Sequence, residues 1–266
     1  MKWFFVIVAH LSLSNACVYA NESDCFIPKL RSTSILRDEG GSLQVNITGL
    51  ILARGGSKGI PLKNLSFFKG KTLLHRAIDA MKTFGKFSSI WVSTDHPDIA
   101  QEAERLGVFV HWRSAETATD TASSLFSVQE FCSRMPGISN IGLIQCTSPF
   151  LSSDIMLMAY ELLSRGYDSA FSVTRTHNLL WKETSNGEIT PANFDRRRRP
   201  RRQDWNGNLQ ENGMLYFTSI DCIKFGLLQG GRIGYVEVPQ LQSLEIDSKI
   251  DLRIAEILFD AHLFDI

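Results

Sequence analysis

Leu50-Ile-Leu-Ala-Arg-Gly-Gly-Ser-Lys-Gly-Ile-Pro-Leu-Lys-Asn64 is the stretch from which the rest of the chain can be read. Leu50 to Ala53 is an uninterrupted apolar run, the pattern of a strand buried on both faces. The run stops at Arg54 and opens into a turn with Gly55, Gly56 and Gly59. Glycines there allow a sharp backbone turn and bring N–H groups close to a ligand. Arg54, Lys58 and Lys63 set three positive charges around the turn. A strand that ends in such a loop suits a polyphosphate. The loop lacks the Gly-Lys-Ser/Thr of a Walker A motif, and it is not the Gly-x-Gly-x-x-Gly dinucleotide fingerprint. The plain alternative is a solvated basic turn between a strand and a helix.

Downstream the periodicity alternates. Thr72 can cap a helix with Leu73, Leu74, Ala77, Ile78 and Met81 on one face, ending near Gly85. Ile90 to Thr94 reads as a strand, and Pro97 opens a helix with Ile99, Ala103 and Leu106 inward. A strand over Val108 to Trp112, a helix over Thr121 to Cys132, a strand over Ile141 to Cys146 and a helix from Ser153 follow. This order predicts an α/β fold with a mainly parallel, doubly wound sheet. Ligands of such sheets lie beyond the carboxyl ends of the strands. Arg54, Thr94-Asp95, Arg113 and Gln145 all fall at or just after such ends.

The pattern changes after Asp168. Ser169 to Thr174 alternates like a strand, Asn186-Gly187 is a turn signal, and Arg196 to Arg202 is a basic run broken by Pro200. Met214 to Thr218 and Arg232 to Val238 resume strand character, with a short helix expected over Ile220 to Leu228. Ser248 and Asp251 form a capping box for a last helix with Leu252, Ala255, Ile257 and Leu258 apolar. Just ahead of it stand Glu245 and Asp247. Two residues apart in an extended segment, they share one face. Paired carboxylates facing a triphosphate site suit Mg²⁺, with Mn²⁺ as the alternative; alternating acids also occur on ordinary exposed strands.

At 266 residues the chain accommodates one large domain with a small appendage. Lys plus Arg and Asp plus Glu both number 28, so no net charge draws the chain to nucleic acid or to a membrane surface. Residues 1–20 have the form of a secretory signal peptide: Lys2, the apolar stretch Trp3 to Leu13, and Val18-Tyr-Ala20. Residues 21–47 read as a polar linker, and no later run is long enough to span a bilayer. The secretory route, with the Golgi as destination, makes Asn21 and Asn46 candidate glycosylation sites; Asn64 also has the sequon but lies in an enclosed motif. The basic run at 196–202 offers nuclear import as the alternative destination. Cys25, Cys132, Cys146 and Cys222 have no metal-ligand spacing; Cys132 on an apolar helix face and Cys146 in an apolar strand read as buried free thiols, while the compartment also permits a disulfide.

The opening stretch resembles motif I of the CMP-sialic acid synthetases, the cytidylyltransferases that activate sialic acid. Four further stretches fit in order: Arg113-Ser-Ala-Glu-Thr-Ala-Thr-Asp120, Gln145-Cys-Thr-Ser-Pro149, Arg199-Pro-Arg-Arg-Gln-Asp-Trp205 with Glu211-Asn-Gly213, and Glu245-Ile-Asp247. The resemblance covers about residues 48 to 264 and is strongest to the animal branch. It implies a Rossmann-like nucleotidyltransferase domain over 48–266, with an oligomerisation and substrate insertion at about 169–212 that makes a homodimer or homotetramer. A phosphatase-like C-terminal domain, common in that branch, is not expected here. The implied reaction is CTP plus sialic acid to CMP-sialic acid and pyrophosphate. The resemblance assigns nucleotide contacts to Arg54, Ser57, Lys58, Lys63, Asn64, Arg113, Ser124 and Gln145, and lets Asp120 orient Arg113. It assigns catalytic roles to Arg201, Arg202, Lys63 and Asp247, sugar contacts to Lys182, Gln210, Glu211 and Asn212, and the metal to Glu245 and Asp247. The family has Asp at both metal positions, so Glu245 is a departure by one methylene. Two other functions stay open: transfer to another acidic eight- or nine-carbon sugar, and a silent binding protein that keeps the fold.

Overall fold

The computed structural model describes residues 36–37 and 43–264. The expected signal sequence, Asn21 and Cys25 lie outside the described residues. Within the expected linker, Leu36–Arg37 pairs antiparallel with Leu43–Gln44. The apolar run ahead of the glycine-rich turn is strand β1 (Ile47–Leu52), buried over Ile47 to Ile51. Then come α1 (Leu73–Phe84), β2 (Phe87–Thr94), α2 (Pro97–Arg105), β3 (Phe109–Trp112), α3 (Ser124–Arg134), β4 (Asn140–Ile144), α4 (Ser153–Ser164) and β5 (Ser169–Thr176). After an excursion, β6 (Asn208–Ser219), α5 (Ile220–Lys224), β7 (Ile233–Glu237) and α6 (Lys249–Asp260) complete the domain.

The seven strands form one sheet in the order β7-β5-β6-β4-β1-β2-β3. Leu50 pairs with Trp91 on one side and Leu143 on the other, both in parallel register. β6 runs antiparallel to β4 and β5, and β7 returns parallel to β5. Six strands therefore point their carboxyl ends to one edge. The reversed β6 brings its own start, Asn208 to Asn212, to that same edge.

Alternation along β1 divides the core. Ile51 packs with Leu74, Ile78, Met81 and Met156 from α1 and α4. Leu50 packs on the opposite face with Val128, Phe131 and Ile223 from α3 and α5. A third cluster holds Ile60, Phe68, Phe150, Ile246 and Ala255. Phe68 meets Phe150 and Phe259 edge-on, with centroids 6.0 and 5.5 Å apart. Each fully buried Phe contributes about 1.5–3 kcal/mol over its exposed state. This cluster fastens the segment before α6 against the loop that follows β1.

Local signals act where the sequence puts them. The Thr72 hydroxyl accepts from His75 N, and Gly85 closes α1 at φ 66°. Ser248 and Asp251 cap α6 reciprocally. One expectation shifts. α3 begins at Ser124, not Thr121, because residues 113–123 are held as a loop by bonds to Glu130. Ile257 is 56 % exposed, joining Ile250 and Ile254 on the outer side of α6. It lies two residues from the buried Ala255, about 200° round the helix.

The segment expected as an insertion at about 169–212 starts and finishes in sheet strands, so what leaves the sheet is 177–207. It contains the hairpin Trp181–Glu183 with Ile189–Pro191 and a short 3₁₀ turn, Arg202–Asp204. Leu180, Trp181 and Ile189 are exposed on it. Among the described residues no helix is long and apolar enough to cross a membrane.

Candidate active site

The turn after β1 sits on the carboxyl edge of the sheet, braced from two sides. Gly55 N donates to Asp95 Oδ1 at 2.8 Å, just past the end of β2. A Cβ on Gly55 would lie 2.7 Å from the His96 ring, and a Cβ on Gly59 would lie 2.2 Å from the Asp247 carbonyl oxygen. Neither glycine has positive φ; the left-handed position in this loop belongs to Leu62, at φ 48°. These glycines thus serve close approach of other chain segments, not the sharp torsions that the sequence suggested.

Each cation of the turn meets a carboxylate. Lys63 Nζ donates to Asp247 Oδ1 at 2.7 Å, across 184 residues of sequence. Asp120 takes Arg54 on one oxygen and Lys58 on the other, the latter at 2.6 Å. The two ammonium groups differ: Lys63 is 16 % exposed and Lys58 80 %. Lys58 and Arg54 together hold the Asp120 carboxyl below its ordinary range. Asp120 therefore does not orient Arg113, as the sequence led us to expect. Arg113 turns inward, where its Nη2 donates to Thr117 O and Ser127 Oγ. Burial pushes the Arg113 guanidinium below its usual value, with Asp95 opposing.

Behind the turn lies a chain of buried bonds. Asn64 Nδ2 donates to Arg54 O at 3.1 Å, and Asn64 Oδ1 accepts from Cys146 Sγ at 3.0 Å. Burial pushes the Cys146 thiol up to about 12, so it keeps the proton it donates. Asn64 is only 5 % exposed, which closes its sequon to modification. Asn46, just before β1, is exposed. Cys132, Cys146 and Cys222 are free.

Glu245 and Asp247 flank the fully buried Ile246, the alternation expected of an extended segment. Their partners differ. Glu245 Oε1 accepts from Gln145 Nε2 at 2.8 Å and from Thr147 Oγ1 at 3.0 Å. Among the described residues, side-chain bonds engage only Oε1 of Glu245 and Oδ1 of Asp247. One oxygen of each carboxylate remains for a hard cation, so this pair fits Mg²⁺ by donor type.

On the start of β6, Glu211 accepts from the Tyr216 hydroxyl and from Gln229 Nε2. Burial, then Glu211, raises the Tyr216 phenol above its usual value. Asn212 Oδ1 accepts from Ser172 Oγ at 2.6 Å, and its Nδ2 donates to Thr174 Oγ1. Gln210 is exposed opposite Thr174. Direct contacts thus join Arg54, Lys58, Asn64 and Asp120 in one set, Lys63 with Asp247, and Gln145 with Glu245. Ser57 is half-buried in the turn, and Ser124 opens α3, exposed. Lys182, Arg201 and Arg202 lie in the excursion, exposed and, among the described residues, with no hydrogen bond or ion pair to the turn; Arg201 is bound to Asp204. Sequence reasoning missed the bracing by Asp95, the pairing of Asp120, the donors Cys146 and Thr147, and Tyr216. Asp95 gave a signal as an acid directly after a strand, and Asp120, Cys146 and Thr147 stood within the quoted motifs without their partners being legible.

A mainly parallel sheet with a cationic glycine-rich turn at its carboxyl edge, faced by two carboxylates, defines an α/β protein of the nucleotidyltransferase type. Solved structures agree at the level of fold. A CMP:2-keto-3-deoxy-manno-octonic acid synthetase complexed with CTP superposes with a TM-score of 0.64 at 15% identity, over 82% of this chain and all of the other. A 4-diphosphocytidyl-2C-methyl-D-erythritol synthase from Anaerococcus prevotii gives 0.59 at 12% identity, over 81% of this chain and 98% of the other. The family model described as "Cytidylyltransferase" matches residues 48–263, and the chain belongs to that family. N-acylneuraminate cytidylyltransferase A of Danio rerio is 46% identical over 79% of this chain and 50% of its own length. The N-acylneuraminate cytidylyltransferase of Oncorhynchus mykiss is 41% identical over 88% of this chain and 55% of its own. The chain spans about half the length of the curated relatives it matches.

Proposed function

We propose that this chain transfers a cytidylyl group from CTP to sialic acid, giving CMP-sialic acid and pyrophosphate. The observation that carries the proposal is the cationic turn held against Asp247 at the sheet's carboxyl edge, in a chain whose relatives are N-acylneuraminate cytidylyltransferases. Arg54, Lys58 and Lys63 bind the triphosphate, and Arg113, Ser57, Asn64, Ser124 and Gln145 complete the nucleotide contacts. The anomeric hydroxyl of the sugar attacks the α-phosphorus. The bond from that phosphorus to the bridging oxygen breaks, and pyrophosphate leaves on the far side. The hydroxyl proton passes to a carboxylate, for which Asp247 is the candidate. Catalysis of this kind rests on positioning and on charges fixed before the reaction. Glu245 and Asp247 would hold Mg²⁺, or Mn²⁺ in its place; the ion supplies charge neutralisation at the phosphates. Gln210, Glu211, Asn212 and Lys182 line the sugar side. Arg201 and Arg202 bind the sugar carboxylate from the excursion, in a homodimer or homotetramer built through that segment; its exposed Leu180, Trp181 and Ile189 support the assembly.

The test is incubation of the purified protein with CTP, Mg²⁺ and sialic acid, with chromatography of the nucleotide products. CMP-sialic acid is expected. Folded protein that forms none refutes the proposal, and a CMP adduct of 3-deoxy-manno-octulosonic acid formed instead establishes the other acidic-sugar reading. Light scattering at micromolar concentration checks the oligomer; a monomer refutes it. We place the protein in the Golgi, delivered by residues 1–20 and glycosylated at Asn21 and Asn46. Cytosolic or nuclear fluorescence of a reporter fused to residues 1–25 refutes that destination.

A further inference from the structure

Asp120 stands 66 residues from Arg54, on the loop between β3 and α3, yet its two oxygens take the two outer cations of the turn, Arg54 and Lys58. These are the groups that the proposed reaction gives to the triphosphate. Asp120 and the phosphates are anions drawn to the same two cations, so they repel one another there and compete for that positive charge. Lys63 is arranged otherwise, little exposed and pinned to Asp247. The base of the Asp120 loop is firmly anchored: Ser114 N and Thr117 Oγ1 donate to Glu130, and Arg113 donates to Thr117 O. Asp120 itself sits at the far end, 38 % exposed, paired with a lysine whose stem lies in solvent. The geometry therefore has a fixed cation, two exchangeable ones, and an anchored acid within reach of both.

We propose that Asp120 is an internal counter-anion for the phosphate site: it yields Arg54 and Lys58 to CTP and reclaims them as pyrophosphate leaves. The inference rests on the proposed cytidylyl transfer. A site with three cations and no competitor binds pyrophosphate, a small and highly charged product, as firmly as the substrate's own phosphates. A returning carboxylate shortens that stay. It makes Asp120 a positioning residue with an effect opposite to that of a brace: removing a brace weakens phosphate binding, and removing a competitor strengthens it.

The test uses the full chain and its Asp120→Asn and Asp120→Glu variants. Calorimetry with pyrophosphate gives the affinity, and steady-state assays give KM for CTP, kcat and product inhibition. Two exposed ion pairs of ordinary strength predict roughly three- to tenfold tighter pyrophosphate binding in Asp120→Asn. KM for CTP and kcat should fall together as release slows. Asp120→Glu, which keeps the charge, should stay near wild type. Equal or weaker pyrophosphate binding by Asp120→Asn overturns the proposal and makes Asp120 a brace. Should the Asn variant melt early, Asp120→Ser carries the same comparison. A wild type that binds pyrophosphate but makes no CMP-sugar overturns the functional reading alone, because the affinities still decide the role of Asp120. A wild type that does not bind pyrophosphate overturns both.

Discussion

Replacing Gly59 with alanine adds one methyl group at the point where the turn touches the Asp247 segment. The added carbon would stand 2.2 Å from the Asp247 carbonyl oxygen. Contact at van der Waals distance needs about 1 Å more, and the obstacle is backbone, which cannot rotate away as a side chain can. Gly59 has no positive φ, so alanine carries no torsional penalty and the steric effect stands alone. The turn and the segment must separate, which draws Lys63 from Asp247. Overpacking of this size costs about 1–3 kcal/mol, roughly 2–12 °C in Tm for a domain of this length. A displacement of about 1 Å in a positioned site costs about 10²-fold in rate. We therefore expect kcat/KM for CMP-sugar formation to fall about a hundredfold, well beyond what the modest loss of Tm explains. The assay is initial-rate kinetics beside a thermal melt in the assay buffer. Wild-type kinetics with an unchanged Tm would refute the close packing of these two segments.

Lys63→Ala removes the least exposed cation of the turn and should lower kcat/KM by about 2–4 kcal/mol in transition-state terms while circular dichroism stays unchanged; near wild-type kinetics would remove Lys63 from the phosphate site. Asp247→Asn should abolish most of the rate dependence on Mg²⁺, whereas Glu245→Asp, which shortens the reach to Gln145 and Thr147, should raise activity or shift preference between Mg²⁺ and Mn²⁺. A normal metal titration for Asp247→Asn would show that these carboxylates do not hold the ion. Cys146→Val leaves Asn64 Oδ1 buried without a donor and should cost about 1–3 kcal/mol of stability, read from urea denaturation. Cys146→Ser should recover most of it, and equal stabilities for the two variants would deny the thiol its role.

Much of the fold was legible because its signals are local. An apolar run buried on both faces, such as Leu50 to Ala53, can hardly be anything but a central strand, and Thr72 and Ser248 mark helix starts by chemistry that acts within four residues. The carboxyl-edge rule then gathers Arg54, Asp95, Arg113 and Gln145 without any knowledge of packing. What stayed hidden depends on distance in sequence. Nothing near Gly59 announces that Asp247 will press on it, and nothing near Asp120 announces Arg54 and Lys58. Glu245 looked like one half of a metal pair, and the structure adds that its longer side chain reaches Gln145 and Thr147. The excursion at 177–207 was visible as a break in the pattern, but where it leaves the sheet depends on the register of β5 against β6, which no local signal encodes.

The third core cluster has a bearing on how the protein is made. Ile246, which spaces the two carboxylates, is buried among Phe68, Phe150 and Ala255 of α6. The cations of the turn leave the ribosome first, and Asp247 follows Lys63 by 184 residues. At about 5–20 residues per second that interval is roughly 9–37 s. For that time Lys63 stands without its carboxylate, whereas Arg54 and Lys58 wait only for Asp120, 66 and 62 residues behind them. Asp247 arrives just ahead of α6, so the last stretch of the described domain to be synthesised also brings the final carboxylate of the site.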